Sequence, residues 1–198
     1  MALKVGITGG IGSGKSVVCD IFRLLGISIF NSDLEGRKIL DEEEEVKQKL
    51  VLLFGPEAYT TAGKADRKYI ASLVFENPVR LKALNDIVHP AVAARFQRWC
   101  KAHEKEAYIL KEAAVLVESG AYKEMDKIIL VSAPDHLRIE RAQKRDNLSA
   151  EEVKKRSRNQ LSEETLRKYA GYILVNDETQ LLIPQVLALH EQLKKLSR

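Results

Sequence analysis

Apolar residues along this chain follow two rhythms. In five places they run almost unbroken and rich in β-branched side chains: LKVGIT at 3–8, ISIF at 27–30, AYILKE at 107–112, KIILVSA at 127–133 and YILVN at 172–176. Runs of this kind, without clean alternation, are what strands buried on both faces look like. Between them the apolar positions fall at helical spacing, as in SVVCDIFRLL at 16–25. Strands separated by helices predict an α/β fold, a five-stranded parallel sheet flanked by helices with right-handed crossovers.

Two connections are too long to be simple crossovers. Residues 34–106 read as almost wholly helical, with breaks at FGPEAYTTAGKADR and VHPAV, and predict a helical lobe inserted into the sheet domain. Residues 135–166 form a second insertion, polar and rich in arginine and lysine. The predicted core is then 1–33, 107–134 and 167–198. The acidic run DEEEE at 41–45 reads as a solvated helix face, with an acidic binding patch as the alternative. The chain shows neither an internal repeat nor a low-complexity linker.

Composition narrows the class only a little. At 198 residues, 45% hydrophobic and 30% charged, the chain suits one α/β domain with small lobes. No apolar run approaches the roughly 20 residues that cross a bilayer, so no membrane partner is expected. Met1 leads almost directly into a glycine-rich stretch without the pattern of a signal peptide. Two cysteines, Cys19 and Cys100, make no disulfide framework and predict reduced thiols in a cytoplasmic protein. A net charge of +4 suits an anionic small molecule and would also permit nucleic acid.

The chemistry concentrates at KVGITGGIGSGKSVVCDIF, residues 4–22. Glycine weakens a strand or helix by roughly 0.5–1 kcal/mol relative to alanine, so four glycines in six residues need a reason. GGIGSGKS at 9–16 fits G-x-x-x-x-G-K-[ST], between a strand pattern and a helical one, which is the context a phosphate-binding loop requires. Glycines let successive N–H groups turn around a phosphate, and the helix beginning near Lys15 aims its positive end at the same anion. Lys15 would reach the β- and γ-phosphates, and Ser16 would offer its hydroxyl to Mg²⁺.

Three other features have two readings each. Ser32 and Glu35 have capping-box spacing, so Ser32 is a plausible N-cap of the helix after the second strand, with Asp33 in its first turn. Asp33 is either a base for a substrate hydroxyl or an ordinary first-turn acid. Arg138, Arg141 and Arg145 form an i, i+3, i+7 stripe, and SAEE at 149–152 has capping-box spacing, so 135–166 reads as a helical hairpin. Its arginines suit a lid over a transferring phosphoryl group, a solvated cationic face, or a nucleic-acid patch, the last disfavoured by the lack of interleaved aromatics. Glu112 ends the third strand and Glu118 follows in LVESG; each is either a metal or substrate contact or a surface acid. His89 precedes Pro90, which biases it toward an extended link between two helices.

Taken together, these residues resemble the dephospho-coenzyme A kinases from end to end. TGGIGSGKS matches that family's opening, and NSD at 31–33, DR at 66–67, HP at 89–90 and LVESG at 116–120 stand in its order. ERAQKRDNLSAEEVKKRSRNQ at 140–160 is similar to its lid, carrying Arg141, Arg145 and Gln160 onto lid positions, and YILVND at 172–177 is similar to its last strand and adenine-side loop. Glu112 stands where the family usually has an aspartate. The resemblance implies a P-loop kinase fold with an inserted substrate lobe and a helical lid. It implies transfer of a phosphoryl group from ATP, with Mg²⁺, to the ribose 3′-hydroxyl of dephospho-coenzyme A, the last step of coenzyme A synthesis. ATP is then expected on Gly10, Gly12, Ser13, Gly14, Lys15, Ser16 and Val17, with Arg141, Arg145 and Asn176. The acceptor is expected on Thr8, Asp33, Arg67, His89 and Glu118, and Mg²⁺ on Ser16 and Glu112. Lys15, Asp33 and Arg141 would carry the reaction, with no nucleic-acid partner and a monomer expected. Two rivals stay open: a kinase of another small acceptor, such as a nucleotide, and a P-loop switch protein, which the lack of an N-K-x-D motif disfavours.

Overall fold

Each of the five apolar runs forms a strand in the computed structural model, which describes residues 1–75, 77–158 and 160–197. These are β1 (Leu3–Thr8), β2 (Ile29–Asn31), β3 (Tyr108–Glu112), β4 (Lys127–Ser132) and β5 (Tyr172–Val175). All pair in parallel, in the order β2-β3-β1-β4-β5, so the first strand made is the central one. The register sets Ile7 beside Glu112 on one side and Ile129 on the other. Thr8, Glu112 and Ser132 therefore end their strands on the carboxyl edge, where doubly wound sheets bind ligands.

The chain forms two compact units, Met1–Asn31 with Cys100–Arg198, and Ser32–Trp99. In the first, α1 (Lys15–Leu24) and α9 (Leu182–Leu196) cover one face of the sheet. Val18, Cys19 and Phe22 of α1 and Val186, Leu189 and Leu193 of α9 bury against Val5, Ile7, Leu110, Ile129 and Val131. Phe22 meets the fully buried Tyr108 edge to face, and Tyr108 bonds Nδ1 of His190 at 2.7 Å. The basic insertion holds α6 (Asp135–Asp146) and α7 (Ala150–Ser157), followed by α8 (Glu163–Arg167). The capping box forms as its spacing predicts: Glu152 N–H donates to Ser149 Oγ, and Ser149 N–H to Glu152 Oε2.

The second unit is helical: α2 (Ser32–Glu42), α3 (Glu44–Phe54), α4 (Arg67–Val74) and all but the end of α5 (Pro78–Ala102). The predicted break at FGPEAYTTAGKADR is real, with Gly55 at φ 90° and Asp66 capping α4 by accepting the Lys68 and Tyr69 N–H groups. Three details differ from the sequence reading. His89 and Pro90 do not separate two helices; both lie inside the 25-residue α5. Proline removes one helical hydrogen bond, a cost of about 3 kcal/mol, and α5 continues beyond it to bury Val92 and Phe96. Ser32 does not cap α2: it is the first residue of the helix, and its buried Oγ has no hydrogen-bond partner among the described residues. Glu35 pairs with Lys38 and Arg95, two cations in reach. The DEEEE run is not simply solvated. Arg95 lies 2.6 Å from Glu42 and 3.6 Å from Glu43, while Asp41 pairs with Arg67 at 2.6 Å. The run straddles the break between α2 and α3, so Asp41, Glu42 and Glu43 meet the arginines of α4 and α5, while Glu44 and Glu45 stay exposed beside Lys47 and Lys49.

Candidate active site

The loop between β1 and α1 is built by its own backbone. Ser13 N–H donates to the Gly10 carbonyl, and Val18 N–H to that of Gly14, which opens the helix. Gly12 and Gly14 have φ of 75° and 96°, the left-handed region that disfavours other residues. Asn176, just beyond β5, donates its side-chain N–H to the Ser13 carbonyl at 2.9 Å and fills the space a Cβ at Gly14 would need. From Lys15 on, the first N–H groups of α1 have no partner earlier in the helix and lie at its positive end.

Side chains add a cation and two hydroxyls. Lys15 is only 9% exposed, and its amine donates to the carbonyls of Gly9 at 2.7 Å and Gly10 at 3.2 Å. Thr8 Oγ1 and Ser13 Oγ are buried without a hydrogen-bond partner among the described residues. Buried hydroxyls of this kind are uncommon, and beside a lysine and a glycine loop they suit a ligand that brings acceptor oxygens. The site therefore fits the phosphates of a nucleotide. Ser16 and Val17 are exposed on the first turn of α1.

Around this loop the structure gathers part of the predicted set. Arg141 of α6 donates to the Asn176 carbonyl at 3.0 Å and pairs with Glu178 at 2.9 Å, reaching the loop after β5. Glu112 is buried at the end of β3 and accepts a hydrogen bond from Asn31 Nδ2. It also helps burial hold the Cys19 thiol up, at a pKa of about 12. Glu118 accepts the Leu161 N–H at 2.7 Å. Arg145 instead forms both of its side-chain bonds with Asp146, which Arg156 also approaches at 3.4 Å, so it belongs to the ion pairs of the hairpin. Asp33 is exposed in the first turn of α2, Arg67 opens α4 against Asp41, and His89 is half-buried in α5; all three belong to the second unit.

Two contacts on the loop stand outside the expected nucleotide set. Gln160 accepts the Ile11 N–H at 2.8 Å and donates to the Ala114 carbonyl at 2.9 Å, joining the end of the insertion to the loop. Arg138 lies against Gly10 and Gly12. Its place in the arginine stripe marked it as basic, but spacing alone cannot say which arginine of a stripe meets the loop. Among the described residues, no group of three His, Cys, Asp or Glu could hold a metal, and no helix is long and apolar enough to cross a membrane.

Comparison with known proteins completes the picture. The family model described as dephospho-CoA kinase matches residues 3–181. A dephospho-CoA kinase of Bacteroides fragilis is 39% identical over 189 residues, covering 96% of this chain and 92% of that protein. A crystal structure from Thermus thermophilus superposes with a TM-score of 0.82 at 36% identity, over 98% of each chain. The dephospho-CoA kinase of Campylobacter jejuni gives a TM-score of 0.75 at 28% identity, over the whole of both chains. With the five-stranded parallel sheet and the glycine loop already in place, these matches establish that the chain belongs to the dephospho-CoA kinase family.

Proposed function

We propose that this protein moves the γ-phosphoryl group of ATP onto the ribose 3′-hydroxyl of dephospho-coenzyme A, releasing coenzyme A and ADP. The observation that carries the reading is the loop at residues 9–16 with its buried Lys15 amine, beside the Thr8 and Ser13 hydroxyls that have no hydrogen-bond partner among the described residues, in a chain of this family. Lys15 exchanges the Gly9 and Gly10 carbonyls for phosphate oxygens and offsets charge on the group in transfer. Gly10, Gly12, Ser13, Gly14, Ser16 and Val17 hold the triphosphate through backbone N–H groups, and Asn176 and Arg141 border the adenine side.

Asp33 accepts the proton of the 3′-hydroxyl, a role that its exposure and its place in the first turn of α2 support. Residues 34–106, with Arg67 and His89, bind the acceptor together with Thr8 and Glu118 of the core formed by 1–33, 107–134 and 167–198. Residues 135–166 act as the lid, excluding water that would otherwise take the phosphoryl group. The Ser16 hydroxyl and the Glu112 carboxylate would hold Mg²⁺, a sparse oxygen set that suits an ion carried mainly by phosphates and water, and the ion would supply positive charge beside the phosphates. Arg145 joins the nucleotide only by leaving Asp146. The reading is of a cytoplasmic protein that works on small molecules, with a monomer as the favoured state.

An ADP-release assay across a panel of acceptors tests this reading, with phosphorus NMR of the product. Turnover of dephospho-coenzyme A, with the new phosphate on the 3′-oxygen, is the expected result. A protein that phosphorylates nucleoside monophosphates and leaves dephospho-coenzyme A untouched would overturn it.

A further inference from the structure

Gly10 lies outside the positive-φ glycines, so its backbone conformation does not call for glycine. Space does. A Cβ there would stand 1.8 Å from Nη1 of Arg138 and 2.8 Å from its Cζ. A Cβ at Gly12 would meet the Arg138 carbonyl oxygen at 2.0 Å. One residue thus touches the loop twice, with its backbone on Gly12 and its guanidinium on Gly10. The Arg138 side chain is 18% exposed, and its Nε is buried with no hydrogen-bond partner among the described residues. Its Nη2 donates to Asp135 Oδ1 at 2.7 Å, an i, i+3 pair at the start of α6 that fixes where the guanidinium points.

That pair is unequal. Asp135 is 83% exposed, so water screens its carboxylate, whereas the guanidinium pressed on the loop is screened far less. The imbalance leaves net positive potential on the loop side. Arg141, one turn further along α6, is occupied with Asn176 and Glu178. The two arginines therefore have separate tasks.

We propose that Arg138 is a positioning residue of the phosphate loop: it braces Gly10 and Gly12 and strengthens the loop's hold on a polyphosphate through the loop itself. This rests on the reading of residues 9–16 as the ATP site. The loop's attraction for anions then has a contribution from outside its own N–H groups and Lys15, and Gly10 is the residue that lets the guanidinium come close.

Calorimetric titration of ADP into wild type, Arg138→Met and Arg138→Lys, at low and high salt, tests this. Methionine keeps most of the apolar stem and removes the charge; lysine restores a charge without the planar fork. At about 50 mM salt, where charges reach across about 14 Å, Arg138→Met should bind ADP about tenfold more weakly than wild type. At about 500 mM salt part of the gap should remain, because ions screen a largely buried guanidinium little, so Arg138→Lys is the arm that separates charge from packing. Arg138→Lys should recover at least half of the logarithmic loss. Thermal melts check that the variants fold, and Arg138→Gln serves if Arg138→Met does not. Affinity within twofold of wild type at low salt, or Arg138→Lys binding as weakly as Arg138→Met, overturns the inference. Wild-type protein that binds no ADP overturns the reading of the loop, and the inference with it.

Discussion

Replacing Lys15 with methionine separates what this residue does for the fold from what it does for the reaction. Its amine donates to two carbonyls of the loop, those of Gly9 and Gly10, from a position only 9% exposed. Charge-assisted hydrogen bonds contribute about 1.5–3 kcal/mol each, but burying the ammonium opposes them. Methionine has a similar length and no charge to desolvate, so the net change in stability should stay within about 2 kcal/mol. The reaction has no such compensation. A cation aimed at charge that grows in the transition state contributes about 4 kcal/mol, and at 1.36 kcal/mol per decade that is a loss of about 10³ in kcat/KM. The assay is ADP release with dephospho-coenzyme A at saturating ATP, beside a urea unfolding curve. A folded Lys15→Met protein that keeps a tenth of wild-type turnover would refute the assignment of this loop to catalysis.

Four further outcomes follow from the same structure. Asp33→Asn keeps the shape of the first turn of α2 but cannot take a proton, so kcat should fall by about 10²–10⁴ with acceptor KM little changed; near-normal kcat would reduce Asp33 to a helix-start residue. Arg141→Ala loses the bond to the Asn176 carbonyl and the pair with Glu178, and should lower kcat by about 10²-fold while weakening ADP binding less. ATP with acceptor should slow proteolysis within 135–165 of the wild type, and an unchanged cleavage rate would count against a closing lid. His190 has its pKa lowered from 6.5, first by burial and then by Lys194. The unfolded chain therefore binds a proton that the folded chain resists, and stability should decline as pH falls below 6.5. His190→Gln should flatten that decline in urea unfolding between about pH 7 and pH 5, and an unchanged slope would assign the effect to other groups.

The strands were legible because a two-sided buried strand must be apolar throughout, and the loop because its glycines and Lys15 answer a phosphate's needs by spacing alone. The capping box at Ser149 was legible for the same local reason. Ser32 carries the same spacing and caps nothing, because β2 passes straight into α2 and Glu35 finds Lys38 and Arg95. Pro90 read as a break, yet residues on both sides carry α5 past it, a tertiary override that local propensity cannot display. The arginine stripe showed its least about function. Three residues one turn apart look alike in sequence, and only the fold sends Arg138 to Gly10, Arg141 to Asn176 and Arg145 to Asp146.

The position of β1 in the sheet has a consequence for how this chain is made. Of the five strands it is made first, and its partners are β3 and β4, both encoded far downstream. At about 5–20 residues per second, the roughly 100 residues between Thr8 and Tyr108, where its first partner begins, take about 5–20 s to synthesise. For that interval an apolar segment waits without neighbours, followed directly by a glycine-rich loop that cannot fold on its own. The helical unit Ser32–Trp99 is continuous and is finished before β3 is made, so it should fold first. Nascent chains stalled with 32–99 outside the ribosome and β3 still inside it should already protect 32–99 from protease, whereas 3–25 should gain protection only in chains stalled after β3 and β4 have emerged. Protection of 3–25 at the earlier stall would show that β1 finds a partner sooner than the sheet order allows.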